Sequence, residues 1–136
     1  MLVRDIMSKH VVTVSPDADL VVMRDIFTRT NFHHLLVVEE GRLLGVISDR
    51  DMLRSTSPFL DTLAEREQDR ASLHKRAHQM MTRHPIVAHP DDEVQTAAFF
   101  MVEKKISCLP VVGADGKLAG IVTWRDLLRA VVVQKG

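Results

Sequence analysis

The sequence predicts a mixed α/β fold built from one structural motif that occurs twice. Two observations predict it. The second half of the chain repeats the first half position by position, and each half alternates short apolar strand patterns with helix patterns. The matches keep their order from Met7 and Met81 to Arg54 and Arg129, which chance rarely gives. One residue is inserted in the second copy, at the Asp115-Gly116 turn.

Each copy is predicted to begin with a short strand followed by a helix. The segments 11–16 and 85–90 each end in proline and have the composition of short extended segments. Asp17 and Asp91 come next, where their carboxylates can cap the first N–H groups of a helix. Apolar side chains then recur at helical spacing, and they are Leu20, Met23, Ile26 and Phe27 in the first copy and Val94, Ala97, Ala98 and Met101 in the second.

A hairpin and a last helix are predicted to complete each copy as β-α-β-β-α. The apolar segments 35–40 and 43–48 flank Gly41, and Asp115-Gly116 is a strong hairpin signal at the equivalent place in the second copy. The last helices are expected to begin at Asp49 or Arg50 and at Trp124 or Arg125. The domain organisation is therefore a first motif over 1–56, a helical linker or insert over 57–77, and a second motif over 78–136. The insert is charged and is expected to carry a solvated helix.

Composition excludes several classes of protein. The 136 residues carry 18 basic and 18 acidic side chains, without the basic excess that nucleic-acid binding normally needs. No apolar run reaches the roughly 18 residues that span a bilayer, and the N-terminus lacks the pattern of a signal peptide. Cys108 is the single cysteine, so a disulfide framework within the chain is excluded. These features predict a soluble, cytoplasmic protein without membrane or nucleic-acid partners.

The repeat resembles the CBS-domain pair, or Bateman module, over nearly the whole chain except the insert. The resemblance is carried by DIMSKHVVTVSPDADL and QMMTRHPIVAHPDDEV, by FHHLLVV and ISCLPVV, and by GVISDRDML and GIVTWRDLL. It implies tandem repeats packed sheet to sheet with pseudo-twofold symmetry. It also implies a regulatory module that is not an enzyme and needs no cofactor. The ligand, an adenine nucleotide (AMP, ADP or ATP) or a related adenosyl compound, would bind in clefts between the two motifs.

The ends of the two hairpins carry the candidate ribose-binding groups. In Ser48–Asp51 and in Thr123–Asp126, a hydroxyl ends a strand and a carboxylate follows three residues later. A carboxylate accepts two hydrogen bonds, which matches the paired 2′ and 3′ hydroxyls of a ribose. The same spacing is that of a helix-capping box, and this purely structural interpretation stays open.

Arginine and histidine side chains near these motifs are candidate phosphate ligands. Arg50 and Arg125 occupy equivalent positions and suit phosphate oxygens, although solvated surface arginines are common. The resemblance implies one site that combines Thr13, Val14, His33 and His34 with Thr123 and Asp126, and a second that combines Val87, Ala88, Ser107 and Cys108 with Ser48 and Asp51. Imidazoles gain charge below about pH 6.5, so the His-bearing site is expected to prefer phosphorylated ligands, unless the histidines are simply solvated.

The copies also differ at two other positions, and these differences bear on assembly. Leu36 stands where the second copy has Pro110, and Trp124 stands where the first has Asp49. Trp124 is suited either to stack on a base or to pack in a dimer interface, and the dimer interface is favoured. The apolar tail and Phe99-Phe100 suggest a helix-mediated homodimer, and ordinary core burial stays open as the alternative. His74 and His78 have metal-ligand spacing but lack an acidic partner, so no metal site is predicted. Cys108 is expected to be a buried structural residue, not a nucleophile.

Three functional hypotheses follow from these patterns. The favoured one is a ligand sensor, in which the bound nucleotide biases the relative orientation of copies or subunits and an unknown downstream partner reads the change. The alternative is a protein-interaction or dimerisation scaffold whose clefts are vestigial. An enzyme with an unrecognised site is the third, and no catalytic constellation in the sequence favours it.

Overall fold

The secondary structure follows the repeat. The computed structural model describes the backbone of residues 1–135 and the side chains of residues 1–133. The strands are β1 (Thr13–Val14), β2 (His34–Glu39), β3 (Arg42–Ser48), β4 (Thr82–Arg83), β5 (Cys108–Val112) and β6 (Leu118–Thr123). The helices are α1 (Val3–Ile6), α2 (Leu20–Arg29), α3 (Asp49–Ser55), α4 (Glu67–Ala71), α5 (Ala77–Met80), α6 (Val94–Lys104) and α7 (Trp124–Lys135). The predicted mixed α/β class is confirmed.

The backbone divides into two units whose limits differ from those of the repeat. The first-copy unit comprises residues 12–40 and 44–84, and the second-copy unit comprises residues 1–11, 41–43 and the chain from Pro85 onward. The first residues of the chain thus belong to the unit of the second copy, and the residues that open the second copy belong to the unit of the first. Each unit has its own apolar cluster, built around Leu20, Met23, Leu35, Val37 and Ile47 in one and Val3, Leu109, Val111 and Val122 in the other.

Glycines in β3 and β6 allow the opening segment of each copy to lie close to the strand with which it pairs. In the second-copy unit, Ser8 and Ile121 exchange two backbone hydrogen bonds of 2.8 and 2.9 Å. A Cβ on Gly120 would lie 2.6 Å from the Ser8 carbonyl oxygen. In the first-copy unit, a Cβ on Gly45 would lie 2.8 Å from the Thr82 carbonyl oxygen. Only a residue without a side chain allows the two backbones to approach this closely.

The first-copy unit contains a four-stranded sheet with strand order β1-β2-β3-β4. Strand β1 runs parallel to β2, and β4 runs antiparallel to β3. The turn between β2 and β3 consists of Glu40 at φ 52° and Gly41 at φ 80°. Positive φ at both central residues is the geometry of a two-residue hairpin, so the predicted turn at Gly41 is confirmed.

Among the described residues, the sheet of the second-copy unit is the hairpin of β5 and β6, and the strand predicted over 85–90 is reduced to a single bridge from Ala88 to Val111. The difference between Leu36 and Pro110 accounts for this. In the first copy the Leu36 N–H donates to the Val12 carbonyl at 3.0 Å. Proline has no N–H, so the equivalent bond cannot form beside residues 85–90.

The central helices begin two or three residues later than predicted. Helix α2 begins at Leu20, and the Asp19 side chain accepts the Val22 N–H at 3.1 Å. Asp17 is not the cap because Ala18 N–H donates to the Ser15 carbonyl, which closes a turn around it. Helix α6 begins at Val94 after Glu93, whose side chain makes no capping bond. The predicted caps at Asp17 and Asp91 are therefore wrong, because turns occupy both segments.

The insert also differs from the solvated helix that composition suggested. It forms only the short helix α4 and the 3-10 turn Ser72–His74, and Leu60 and Leu73 are buried in the first-copy cluster. Asp69 is buried too, and accepts the Ser57 hydroxyl at 2.6 Å, a bond that lowers the pKa of Asp69. A cleft of about 360 Å³ separates the insert from α2, with Arg24 and Arg70 in its lining both bonded to Asp61. The insert is therefore held in place by burial of Leu60 and Leu73, and not by a long helix.

Candidate functional site

The Ser48–Asp51 motif forms a reciprocal pair of hydrogen bonds where β3 meets α3. Asp51 Oδ2 accepts the Ser48 N–H at 2.8 Å, and Ser48 Oγ accepts the Asp51 N–H at 3.1 Å. This is the capping box that the sequence left as an alternative. Asp51 Oδ1 accepts no hydrogen bond from the described residues, and Asp51 is only partly buried. The carboxylate therefore caps the helix through one oxygen while the other is available to a ligand hydroxyl.

The Thr123–Asp126 motif of the second copy shares one of these two bonds and has a more enclosed carboxylate. Asp126 Oδ2 accepts the Thr123 N–H at 2.8 Å and the Thr123 hydroxyl at 3.2 Å. Asp126 Oδ1 lies 3.6 Å from the Arg129 guanidinium, and the residue is only 5% exposed. A ligand hydroxyl would have to compete with Arg129 here. The two candidate ribose acceptors, equivalent in sequence, thus differ in availability.

The side chains of His33 and Asp49 are hydrogen-bonded beside the Ser48–Asp51 motif. His33 Nδ1 lies 2.9 Å from Asp49 Oδ2, and the Asp49 N–H donates to the His33 carbonyl at 3.0 Å. The hydrogen bond from His33 lowers the pKa of Asp49, which keeps the carboxylate ionised at neutral pH. An ionised carboxylate only accepts hydrogen bonds, so His33 Nδ1 is the donor. The structure thus joins His33 to the helix start of its own copy.

His34 differs from the expectation of two imidazoles that gain charge together. Burial lowers the pKa of His34 below the usual 6.5, although Asp49 and Asp51 act in the opposite direction. A histidine with a lowered pKa is neutral at pH 7 and stays neutral as the pH falls toward 6.5. Of the two histidines, His34 therefore contributes hydrogen bonding, not charge, near neutral pH.

The other predicted site residues divide into exposed and buried groups. Thr13, Ser107, Arg50 and Arg125 are exposed, and neither arginine forms an ion pair within the described part of the chain. Val14, Ala88 and Cys108 are buried, and Val87 is partly buried. Val14 and Ala88 flank the first strand of each hairpin through pairing with Val37 and Val111. Their side chains pack in the cores, so a ligand could meet only their backbone groups. The pairing of residues from different copies stays a prediction.

Cys108 is not suited to nucleophilic chemistry. It is 8% exposed, and burial raises its pKa to about 12. The thiolate is the reactive form of cysteine, and it is scarcely populated at neutral pH with such a pKa. The predicted structural role of Cys108 agrees with this environment.

Metal ligands and membrane spans were also sought. Among the described residues, no three His, Cys, Asp or Glu side chains are grouped so that they could hold a metal ion. His74 ends the 3-10 turn and His78 lies in α5, so the two do not share the helix that their spacing suggested. No helix in the described part of the chain has the length and apolarity to cross a membrane.

Sequence reasoning did not connect Asp49 with His33. The difference between Asp49 and Trp124 was visible in the aligned copies, but a lone acid at a helix start usually indicates capping. Its partner His33 lies sixteen positions earlier, and only the pairing of β2 with β3 brings the two together. The one signal in the sequence was that the first copy has an acid and a histidine at two positions where the second copy has neither.

Comparison with known proteins identifies the class. The family model for the CBS domain matches residues 3–57 and residues 77–133. The chain therefore belongs to the CBS domain family, as a pair of CBS domains, and the resemblance found in the sequence is confirmed. A CBS domain-containing protein of Dictyostelium discoideum is 34% identical over 134 residues, covering 97% of this chain and 92% of that protein.

Two similar solved structures contain adenosyl ligands. The CBS domain pair of protein MJ0100, in complex with 5′-methylthioadenosine and S-adenosyl-L-methionine, is 30% identical with a TM-score of 0.79 and 98% coverage of both chains. CBSX2, a CBS-pair protein from Arabidopsis thaliana, was solved in complex with AMP. It is 29% identical with a TM-score of 0.82, and the match covers 99% of this chain and 98% of CBSX2. Both similar proteins therefore bind a ligand that contains adenosine.

Proposed function

We propose that this protein is a non-catalytic regulatory module that binds an adenosyl ligand. The ligand would bind at the strand ends that carry Ser48–Asp51 and Thr123–Asp126, which we call the first-copy and second-copy half-sites. The observation that carries the proposal is the available Oδ1 of Asp51, at the end of a strand in a motif that both copies share. A ribose diol donates two hydrogen bonds, and an ionised carboxylate held by a capping box is preorganised to accept them. The complexes of similar proteins with AMP, 5′-methylthioadenosine and S-adenosyl-L-methionine support adenosine as the shared part of the ligand.

The roles proposed for the half-site residues follow their positions. Ser48 and Thr123 orient the carboxylates of Asp51 and Asp126 toward a ribose. The exposed guanidinium groups of Arg50 and Arg125 are placed to contact a phosphate, if the ligand has one. The adenine would meet residues near the strand starts, which are Thr13, Val14, His33 and His34 in the first copy and Val87, Ala88, Ser107 and Cys108 in the second.

Isothermal titration calorimetry tests the proposed function directly. The full chain is titrated with 5′-methylthioadenosine, S-adenosyl-L-methionine, AMP, ADP and ATP, and with guanosine monophosphate as the matched control for adenine recognition. We expect at least one adenosyl ligand to bind with a Kd in the micromolar range and to elute chemically unchanged. Absence of binding below millimolar for all of them would contradict the proposal. Conversion of the ligand, seen by chromatography, would indicate an enzyme instead.

A dimerisation scaffold is the second candidate, and a specific surface favours it. Along α7, the side chains of Trp124, Leu128, Val131 and Val132 are each more than half exposed. Helix α6 exposes Phe99, whose ring meets the Phe100 ring edge-on at a centroid distance of 5.9 Å. Clusters of exposed apolar side chains mark association surfaces in other proteins. We propose that this helical surface mediates a homodimer, whether or not the half-sites bind a ligand.

Leu128→Asp is expected to convert that dimer into a monomer, because a charge would be buried without a partner in an apolar interface. Size-exclusion chromatography with light scattering measures the change in mass. The matched control is Ala114→Asp, which adds the same charge at the exposed hairpin turn and should leave the mass unchanged. A wild-type protein that is already monomeric, or a dimeric Leu128→Asp variant, would exclude this interface.

A further inference from the structure

The start of helix α3 carries a carboxylate that the second copy lacks. Asp49 and Asp51 both lie in the first turn of α3, whereas α7 begins with Trp124 and has only Asp126 in its first turn. Each copy has one exposed arginine at the intervening position. The first-copy half-site therefore has one more negative charge than the second, next to the carboxylate proposed to bind ribose.

The hydrogen bond with His33 holds that carboxylate at the accessible surface. The side chains of His33 and Asp49 are 69% and 44% exposed, so a ligand can approach both. Asp49 already accepts the Nδ1–H of His33, which occupies this donor before any ligand arrives. A phosphate would have to displace a carboxylate from His33, and the displaced carboxylate would stay nearby as a like charge.

The neighbouring groups do not offset the repulsion between a ligand phosphate and the Asp49 carboxylate. The hydrogen bond from His33 lowers the pKa of Asp49, which favours its charged form, and burial lowers the pKa of His34, which favours its neutral form. The acids in the first turn also cancel the positive end of the helix. Arg50 is the remaining cation of this turn, set against two carboxylates.

We infer that Asp49 is a specificity determinant, which makes the first-copy half-site select adenosyl ligands with a neutral or cationic 5′ substituent over phosphorylated ones. The inference rests on the proposed function. With the ribose on Asp51, two residues away, the 5′ substituent lies within a screening length of about 8 Å from Asp49. At that range a phosphate is repelled and a sulfonium is attracted.

The test compares two ligands that differ only in the 5′ group, namely 5′-methylthioadenosine and AMP, by calorimetry. In the wild-type chain we expect AMP to bind at least about tenfold more weakly than 5′-methylthioadenosine, which corresponds to about 1.4 kcal/mol. Asp49→Asn removes the charge but retains the size of the side chain. It should reduce that ratio about tenfold, mainly by strengthening AMP binding. Glu39→Gln removes one charge from the far end of β2 and is the matched control.

Ionic strength supplies a second measurement that needs no variant. Raising the salt concentration from 20 to about 500 mM should bring the two affinities of the wild-type chain closer, because salt screens the repulsion of exposed charges. If 5′-methylthioadenosine binds but Asp49→Asn leaves the ratio unchanged, the specificity role is wrong while the adenosyl function stands. If AMP binds the wild-type chain more tightly than 5′-methylthioadenosine, the inference is also overturned. If neither ligand binds, the proposed function fails and this inference fails with it.

Discussion

Replacing Asp51 by alanine is expected to weaken binding of 5′-methylthioadenosine by about 100-fold. Two hydrogen bonds from the ribose hydroxyls to a charged acceptor would be lost, each worth about 1.5–3 kcal/mol. A loss of about 3 kcal/mol corresponds to about two powers of ten in Kd. Calorimetry on the folded variant measures both the affinity and the number of sites. The equivalent Asp126→Ala change should remove the other site, so each variant is expected to retain about half of the wild-type stoichiometry.

Asp51→Ala also removes a helix cap, and a matched variant separates the two effects. Asp19 caps α2 through one hydrogen bond to the Val22 N–H in the same unit. Asp19→Ala should cost about 1 kcal/mol in stability, as Asp51→Ala does through its cap, but should not affect ligand affinity. If Asp51→Ala binds the ligand as tightly as Asp19→Ala does, Asp51 is a structural cap and nothing more.

The second large effect is expected from Gly120→Ala, which should lower the free energy of unfolding by about 2–3 kcal/mol. The new Cβ would lie 2.6 Å from the Ser8 carbonyl oxygen, which is a backbone atom. Ser8 cannot move away without breaking its two hydrogen bonds to Ile121. Urea denaturation followed by circular dichroism, with the wild-type chain alongside, measures the loss.

Gly113→Ala is the matched control for this prediction. A Cβ on Gly113 would lie 3.0 Å from Asp115 Oδ1, an atom of an exposed side chain that accepts the Lys117 N–H and has to shift by only a few tenths of an ångström. A change of less than about 1 kcal/mol is expected there. Equal stabilities of the Gly113→Ala and Gly120→Ala variants would show that the segment around Ser8 does not pack against β6 as described.

The repeat by itself predicted the main elements and the family. Helical spacing identified Leu20 and Met23 as core positions, and both are fully buried. The turn at Gly41 and the helix starts at Asp49 and Trp124 also agree with the structure. These features depend on local backbone preferences and on the side of an element that is apolar, and a sequence carries both kinds of information.

Helix caps and the weak strand of the second copy were predicted less well. Asp17 and Asp19 are both sound caps by residue type, and only the turn closed by Ser15 and Ala18 selects Asp19. The strand over 85–90 depends on a bond that Pro110 cannot donate to its neighbour. Such choices depend on hydrogen bonds between segments, and residue type alone does not determine them.

The repeat, the fold class and the two hydroxyl–carboxylate motifs were determined by the sequence alone, because they depend on spacing along the chain. The exchange of the opening segments, the close approach at Gly45 and Gly120, and the hydrogen bond between His33 and Asp49 were decided only by the tertiary structure. Each of these joins residues that are distant in sequence, and strand pairing sets which of them meet. The unequal availability of Asp51 and Asp126 belongs to the same group, since burial is a property of the folded chain.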